Sequence, residues 1–251
     1  MKKLILLGLM MLLGLPLAAY SAPVEGPPAQ GFNIGLGQDY TNYRDLKPHA
    51  VSISTNGTPI GCNIRHMYRT MLKVGYGFFD FLEVYIKLGG ADYKFRGDIE
   101  DQFGNPEGVA KINTKWGFAY GAGLKGAYTF KNGLLVGADL QYLRHRQKYR
   151  ARLTDLIGED TSTGKVTLQE WQFGPFVGYK IMKFLPYVGV KYSDVRLKIR
   201  DCDGETTKLK ADDHFGAFVG LTYDIMPQVK LNLEGRFIDE TGVNFNVIFK
   251  F

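Results

Sequence analysis

The residues of this chain that could do chemistry are scattered, and their spacing excludes more than it suggests. The four histidines, His49, His66, His145 and His214, include no pair spaced as zinc ligands are. There is no Gly-x-Ser-x-Gly elbow to lift a serine nucleophile, and no glycine-rich loop ending in Lys-Ser/Thr to cradle a phosphate. Two cysteines, Cys62 and Cys202, are too few for a disulfide-dense scaffold or a cysteine-based zinc site. Two clusters remain. Asp212-Asp213-His214 sets a carboxylate two residues before an imidazole, and Asp98-Ile99-Glu100-Asp101 gathers acids. Neither is specific alone. Charge is otherwise spread along the chain, 31 Lys plus Arg against 25 Asp plus Glu, so the question passes to the elements that place it.

The first element is an address. Lys2 and Lys3 precede an almost unbroken apolar run, Leu4 to Leu15, followed by Pro16 and the small residues Ala18, Ala19, Ser21 and Ala22. This is the three-part plan of a secretory signal, and Ala19-Tyr20-Ser21 fits the small-x-small cleavage rule. Residues 1–21 are therefore expected to be removed and residues 22–30, which are proline-rich, to form a short periplasmic tether. The run is shorter than the ~20 residues a spanning helix needs. Export makes nucleic acid an implausible partner, and an oxidising compartment permits a Cys62–Cys202 bridge.

The remainder alternates with period two, the mark of strands with two unlike faces. Tyr68, Thr70, Leu72, Val74, Tyr76 and Phe78 oppose Arg69, Met71, Lys73, Gly75 and Gly77. Val84, Ile86 and Leu88 oppose Glu83, Tyr85 and Lys87, and Leu231, Leu233 and Phe237 oppose Lys230, Asn232, Glu234 and Arg236. One face is aliphatic and aromatic. The other is glycine and charge, and glycine is 31 of 251 residues, well above the usual ~7%. A soluble sandwich would carry few glycines on its polar face. A narrow barrel with a polar interior and a lipid-facing exterior explains both faces, and only a closed barrel satisfies every strand hydrogen bond in hydrocarbon. The reading is an all-β, closed, antiparallel transmembrane β-barrel over residues 31–251, integral to the outer membrane of a Gram-negative bacterium. The mean hydropathy of −0.14 is then the average of two opposite faces.

Ten runs are expected, near 31–40, 65–77, 81–96, 114–130, 134–150, 166–181, 185–200, 210–225, 229–238 and 241–251, with eight strands as the alternative. Short periplasmic turns at Gly77–Asp80, Lys131–Gly133, Met182–Phe184 and Met226–Gln228 alternate with long outer loops at 41–64, 97–113, 151–165 and 201–209. In the run 185–200 the apolar residues change parity, from Val188, Val190 and Tyr192 to Val195, Leu197 and Ile199. A bulge near Ser193-Asp194, or a strand leaving the membrane there, would account for it. Trp116 and Trp171 near the loops, and Tyr128, Phe130 and Tyr223 near the turns, suit interfacial aromatic belts.

The inward parity collects Arg69, Lys73, Lys87, Lys115, Lys125, Lys180, Lys191, Lys230, Arg236 and Lys250 with Asp39, Glu83, Asp139, Glu170, Asp224 and Glu234. A network of paired charges filling a narrow lumen is expected, with a mildly anion-preferring pore as the other reading. The basic stretch Tyr142 to Arg152 would sit near lipopolysaccharide headgroups on an outward strand end, with a solvated loop stem as the equal alternative.

Gly31 to Tyr40 resembles the first strand of the outer membrane protein A-like and opacity-type porin barrels, and Val243 to Phe251 resembles their last. The resemblance implies that Phe245, Phe249 and Phe251 form a signal read by the barrel-assembly machinery. A second resemblance concerns the omptin proteases, ten-strand barrels in which an Asp-His pair faces two acids across the barrel mouth and activates water between them. Asp212 and His214, on the inward parity, match the first pair; Asp98 and Glu100 match the second imperfectly. The expected function is a small structural or porin-like barrel with a narrow or filled lumen and surface-exposed loops, without enzyme activity, cofactor or metal. Its expected partners are outer-membrane lipid, lipopolysaccharide and the assembly machinery. A loop-mediated adhesin with an extracellular ligand is one alternative, and an omptin-like protease another.

Overall fold

The computed structural model describes residues 31–52, 58–100, 106–155, 159–201 and 206–251. The expected signal (1–21) and tether (22–30) lie outside these residues. Every described element is a strand: β1 (Phe32–Ser52), β2 (Thr58–Phe79), β3 (Leu82–Glu100), β4 (Pro106–Thr114), β5 (Gly117–Thr129), β6 (Leu134–Asp155), β7 (Glu159–Tyr179), β8 (Phe184–Asp201), β9 (Thr206–Ala211), β10 (Phe215–Met226), β11 (Val229–Phe237) and β12 (Thr241–Lys250). All pairings are antiparallel, and the ring closes where the amide of Phe251 donates to the Phe32 carbonyl at 2.8 Å and that of Phe32 to the Phe251 carbonyl at 3.2 Å.

There are twelve segments rather than ten because β4 and β9, which fall mainly in the expected outer loops 97–113 and 201–209, are also strands. β4 and β5 hold one place in the wall, both lying between β3 and β6 at different heights. β9 and β10 both lie against β8 in the same way. Their other neighbours differ. β9 pairs directly with β1, whereas β10 reaches β1 only through β11 and β12. The wall is therefore a ring of ten strands near the chain ends and a ring of eight farther out, with the short β11–β12 hairpin filling the gap in the lower part alone. A barrel narrows as strands are lost, and at eight its interior is just wide enough for side chains to fill.

The long outer loops expected at 41–64, 97–113, 151–165 and 201–209 are mostly strand. β2 and β6 each run 22 residues, about twice what a tilted strand needs to cross a bilayer. Within the expected loop 41–64, residues His49 to Ser52 continue β1. At the opposite end the turns are tight. Gly133 has a positive φ of 89°, which the expected Asn132-Gly133 turn requires, and the Asn132 side chain accepts from the Leu134 amide at 3.1 Å.

The exterior near the chain ends is apolar and bounded by rings. On the lower side Phe32 packs on Tyr76, Phe79 on Phe81, Tyr128 on Phe130, and Phe184 on Tyr223, with centroids 4.8–5.5 Å apart. On the upper side Tyr40 packs on Tyr68, Tyr142 on Trp171, and Tyr192 on Phe215, at 4.8–5.4 Å. Phe32 to Tyr40 is nine residues, the length of one tilted crossing. This is a transmembrane band with both interfaces marked.

Above the upper girdle the faces exchange chemistry. On β6 the outward residues become Arg144, Arg146, Lys148 and Arg150, while Leu143, Tyr149 and Ala151 are buried inside. On β8 Arg196 and Lys198 face out and Val195 and Leu197 face in. No bulge interrupts β8 there, since its pairing with β7 runs unbroken from Tyr192 to Asp201. The apparent change of parity is a change of solvent. The strand keeps its alternation while its outer side passes from lipid to water. The eight-strand section accordingly has a core of its own, built from Leu46, Ile64, Met67, Tyr93, Phe95, Leu143, Val166, Leu168, Val195, Leu197 and Leu209 among others.

The inward glycines make room for rings. Gly123 lies opposite Tyr85, Gly137 opposite Phe176, Gly189 opposite Phe218, and Gly220 opposite Tyr187, and in each pair a Cβ on the glycine would collide with the ring. At Gly189 the Pro175 carbonyl closes the other side. Gly189→Val is therefore expected to lower the unfolding free energy by about 1–3 kcal/mol through overpacking, measured by urea unfolding of protein refolded in vesicles. An unchanged midpoint would contradict this packing.

Candidate functional site

The bore of the ten-strand section is crossed by a belt of ion pairs. Arg44 reaches it because a register shift between Thr41 and Tyr43 turns the next residue of β1 inward. Its guanidinium donates to Glu170 at 2.6 Å, to the Ser193 hydroxyl at 2.6 Å, to Asp239 at 3.2 Å and to Glu240 at 3.3 Å. Arg69 donates to Asp39 and to the other oxygen of Glu170, both at 2.7 Å. Arg236 donates to Glu240 at 2.7 Å and also to Asp39. Lys191 pairs with Asp239 at 3.0 Å and with Glu240. Gln172, Gln141 and Lys87 extend the chain of hydrogen bonds from Glu170 across to β3.

Four cations thus meet four carboxylates: Arg44, Arg69, Lys191 and Arg236 against Asp39, Glu170, Asp239 and Glu240. Their side chains are at most 5% exposed. Buried charge is tolerated only when paired and hydrogen-bonded, and this set balances. Asp239 and Glu240 come from the tip of the β11–β12 hairpin, which stops beneath the eight-strand section. At that tip Ile238 has a φ of 80°, a costly backbone conformation for a branched residue, with its side chain outward and the next two carboxylates turned inward.

A second group lies nearer the chain ends. Glu83 binds Lys73 at 2.5 Å, Lys125 at 3.1 Å and Asn33 at 3.0 Å. Tyr85 donates to Asp139 at 2.6 Å, and Tyr187 to Glu234 at 2.9 Å. At the rim Asp224 pairs with Lys230 at 2.8 Å and Lys180 at 3.6 Å.

The structure places Arg69, Lys73, Glu83, Lys87, Lys125, Asp139, Glu170, Lys191, Glu234 and Arg236 inside the wall. Sequence reasoning missed Arg44, Asp239 and Glu240, which it assigned to connections. A run of consecutive polar residues ending a perfect alternation was the available signal, but only the register shift shows which of them turns in. Lys115 is corrected. It sits at the break between β4 and β5, exposed on the outside, because the strand shifts by one residue there.

Asp212 and His214 are also corrected as inward residues. The break between β9 and β10 shifts the inward parity from Leu209 and Ala211 to Gly216 and Phe218. Asp212 consequently pairs with exposed Lys47 at 2.5 Å. The His214 ring packs on outward Tyr192 at 5.6 Å, with its Nδ1 2.9 Å from the Ser193 carbonyl. Asp98 and Glu100 belong to β3, and their side chains lie outside what is described. Cys62 is buried in the upper core, while Cys202, its expected partner, is outside the described residues. Phe245 and Phe249 are half-buried, and Phe251 is exposed beside Phe32 at the ring closure.

Outside, above the upper girdle, an open trough of about 1060 Å³ runs along β6 to β9. Its floor includes Thr163, Gly164, Thr167 and Gln169 of β7, and its lining holds eleven Lys and Arg side chains and no acid. The cations stand in rungs across the sheet. Gln169 has Arg144 on one side and Arg196 on the other; Thr167 has Arg146 and Lys198; Lys165 has Lys148 and Arg200. Lys210 and Lys208 of β9 extend the first two rungs.

No protein-family model and no curated protein matches the chain. Among solved structures, the outer-membrane protease OmpT from Escherichia coli is similar over 92% of this chain and 98% of its own, with 12% identity and a TM-score of 0.51. The translocator domain of the autotransporter NalP from Neisseria meningitidis (88% of each chain, 9% identity, TM-score 0.45) and the COG4313 outer membrane channel from Pseudomonas putida F1 (93% and 100%, 9%, 0.43) are more distant. The first likeness shows the fold. Together with the apolar band and its girdles, it makes this chain an integral outer-membrane β-barrel.

The belt carries a prediction. Glu170→Ala removes the acceptor shared by Arg44 and Arg69 and leaves four buried cations facing three carboxylates. It is expected to cost about 3–5 kcal/mol, read from urea unfolding in vesicles. A loss no larger than that of outward Gln169→Ala would refute the account of the belt.

Proposed function

We propose that the protein is a closed, structural outer-membrane barrel that does not conduct and is not an enzyme. The observation that carries this reading is the belt from Arg44 to Glu240, which spans the bore from β1, β2, β7 and β8 to the β11–β12 tip with almost no exposed side-chain surface. The apolar core above it is a second seal. A porin-like reading would require both to part. An adhesin would bind through the wall of the protruding section, since the segments expected as loops are mostly strand. The terminal Phe245, Phe249 and Phe251 are proposed as the signal for the assembly machinery.

Refolded protein in planar bilayers is expected to give no stable channels, whereas reproducible unitary conductance would establish the porin-like alternative instead. In a peptide-cleavage assay the protein and its His214→Ala variant are both expected to show no turnover. Cleavage by the parent that the variant abolishes would favour a protease.

A further inference from the structure

We propose that the trough on β6 to β9 binds the phosphorylated sugar headgroup of an outer-leaflet lipid, of the kind lipopolysaccharide carries. Two observations combine. The first is position: the trough begins two residues above Trp171, whose ring packs on Tyr142 at the upper girdle. About 3.3 Å of strand per residue puts Gln169 roughly 7 Å and Lys165 roughly 20 Å farther along the strand from that girdle, within the headgroup layer. The second is unbalanced charge. Residues directly opposite on neighbouring strands have Cβ atoms about 5 Å apart, and like charges there repel. Lys148 faces Lys165, which faces Arg200, and Lys198 faces Lys208. Among the described ion pairs one holds a trough cation, Arg196, which pairs with Asp194 at 2.8 Å.

The wall cannot relieve the repulsion by turning these side chains inward. The alternate positions Val166, Leu168, Val195 and Leu197 fill the apolar core. An anion laid along the rungs relieves it. Phosphate groups on a sugar scaffold answer both the spread of cations and the Thr and Gln floor, whose side chains can hydrogen-bond hydroxyls. A lipid is favoured over a soluble anion because the trough opens directly onto the aromatic girdle, so acyl chains would continue down the apolar band. The assignment requires only that this band sit in the membrane, not that the bore be closed.

The test uses full-length protein refolded in phosphatidylcholine vesicles containing lipid A with both phosphates, or lipid A stripped of them, with lipid retention after detergent extraction read by native mass spectrometry. The parent is expected to retain phosphorylated lipid A at least about tenfold better than the stripped form, with retention falling as salt is raised. The triple variant Arg146→Gln, Lys165→Gln, Lys198→Gln is expected to lose that preference. A control variant with Arg65→Gln and Lys94→Gln, outward cations of β2 and β3, is expected to keep it. Folding of each variant is checked by its heat-dependent gel mobility. Equal retention by parent and triple variant, or equal retention of the two lipids, would overturn the proposal. Complete displacement by millimolar inorganic pyrophosphate would also overturn it, by reassigning the trough to free phosphates.

Discussion

A strand that leaves a bilayer must exchange its two faces without changing its geometry. Side chains alternate with period two whatever surrounds them, so at the outer interface the outward positions must turn from apolar to charged. The inward positions are then free to become apolar. Most of this structure follows from that constraint. It explains why β6 and β8 carry arginine and lysine outside and leucine and valine inside above Tyr142 and Tyr192, with Leu140, Val188 and Val190 outside and Gln141 and Lys191 inside just below. It also explains why a protein with buried ion pairs at membrane height has a larger oily core outside it.

The exchange is coupled to the number of strands. The ten-strand section is filled by the balanced belt of cations and carboxylates and, nearer the chain ends, by a cluster that includes Leu135, Phe176, Tyr187 and Phe218. Eight strands enclose a space that leucine, methionine and phenylalanine fill directly. The transition is made by a hairpin that stops short. β11 and β12 end beneath the upper section, and the two carboxylates of their tip close the belt against Arg44, Lys191 and Arg236. Where β9 gives way to β10, a one-residue shift accompanies the change of neighbour from β1 above to β11 below. Belt, hairpin and the β9–β10 break are thus parts of one adjustment in diameter.

The same organisation separates the surfaces available for function. The bore is occupied by side chains that neutralise one another. On the outer wall of the upper section, cations stand opposite one another across β6 to β9. The fold shared with an outer-membrane protease does not choose between these surfaces. Among the described residues, the unpaired cations of the trough lie on the outside of the barrel rather than at its mouth.

The amino-acid sequence by itself determined the class of fold, the lipid-facing positions and most of the inward charges, because alternation is a local property that pairing does not alter. Tyr68 to Phe78 and Val229 to Phe237 could be assigned to their faces residue by residue. What only the tertiary structure decided lies where the alternation shifts or its meaning changes. Arg44, Lys115, Asp212 and His214 each sit at or just beyond a one-residue shift, and a shift of one exchanges inside for outside. Val195 and Leu197 required knowledge of where lipid ends. Asp239 and Glu240 looked like a connection because nothing local reveals that a hairpin tip is buried under neighbouring strands. These are consequences of register and height between strands distant in the chain, and no single strand carries that information.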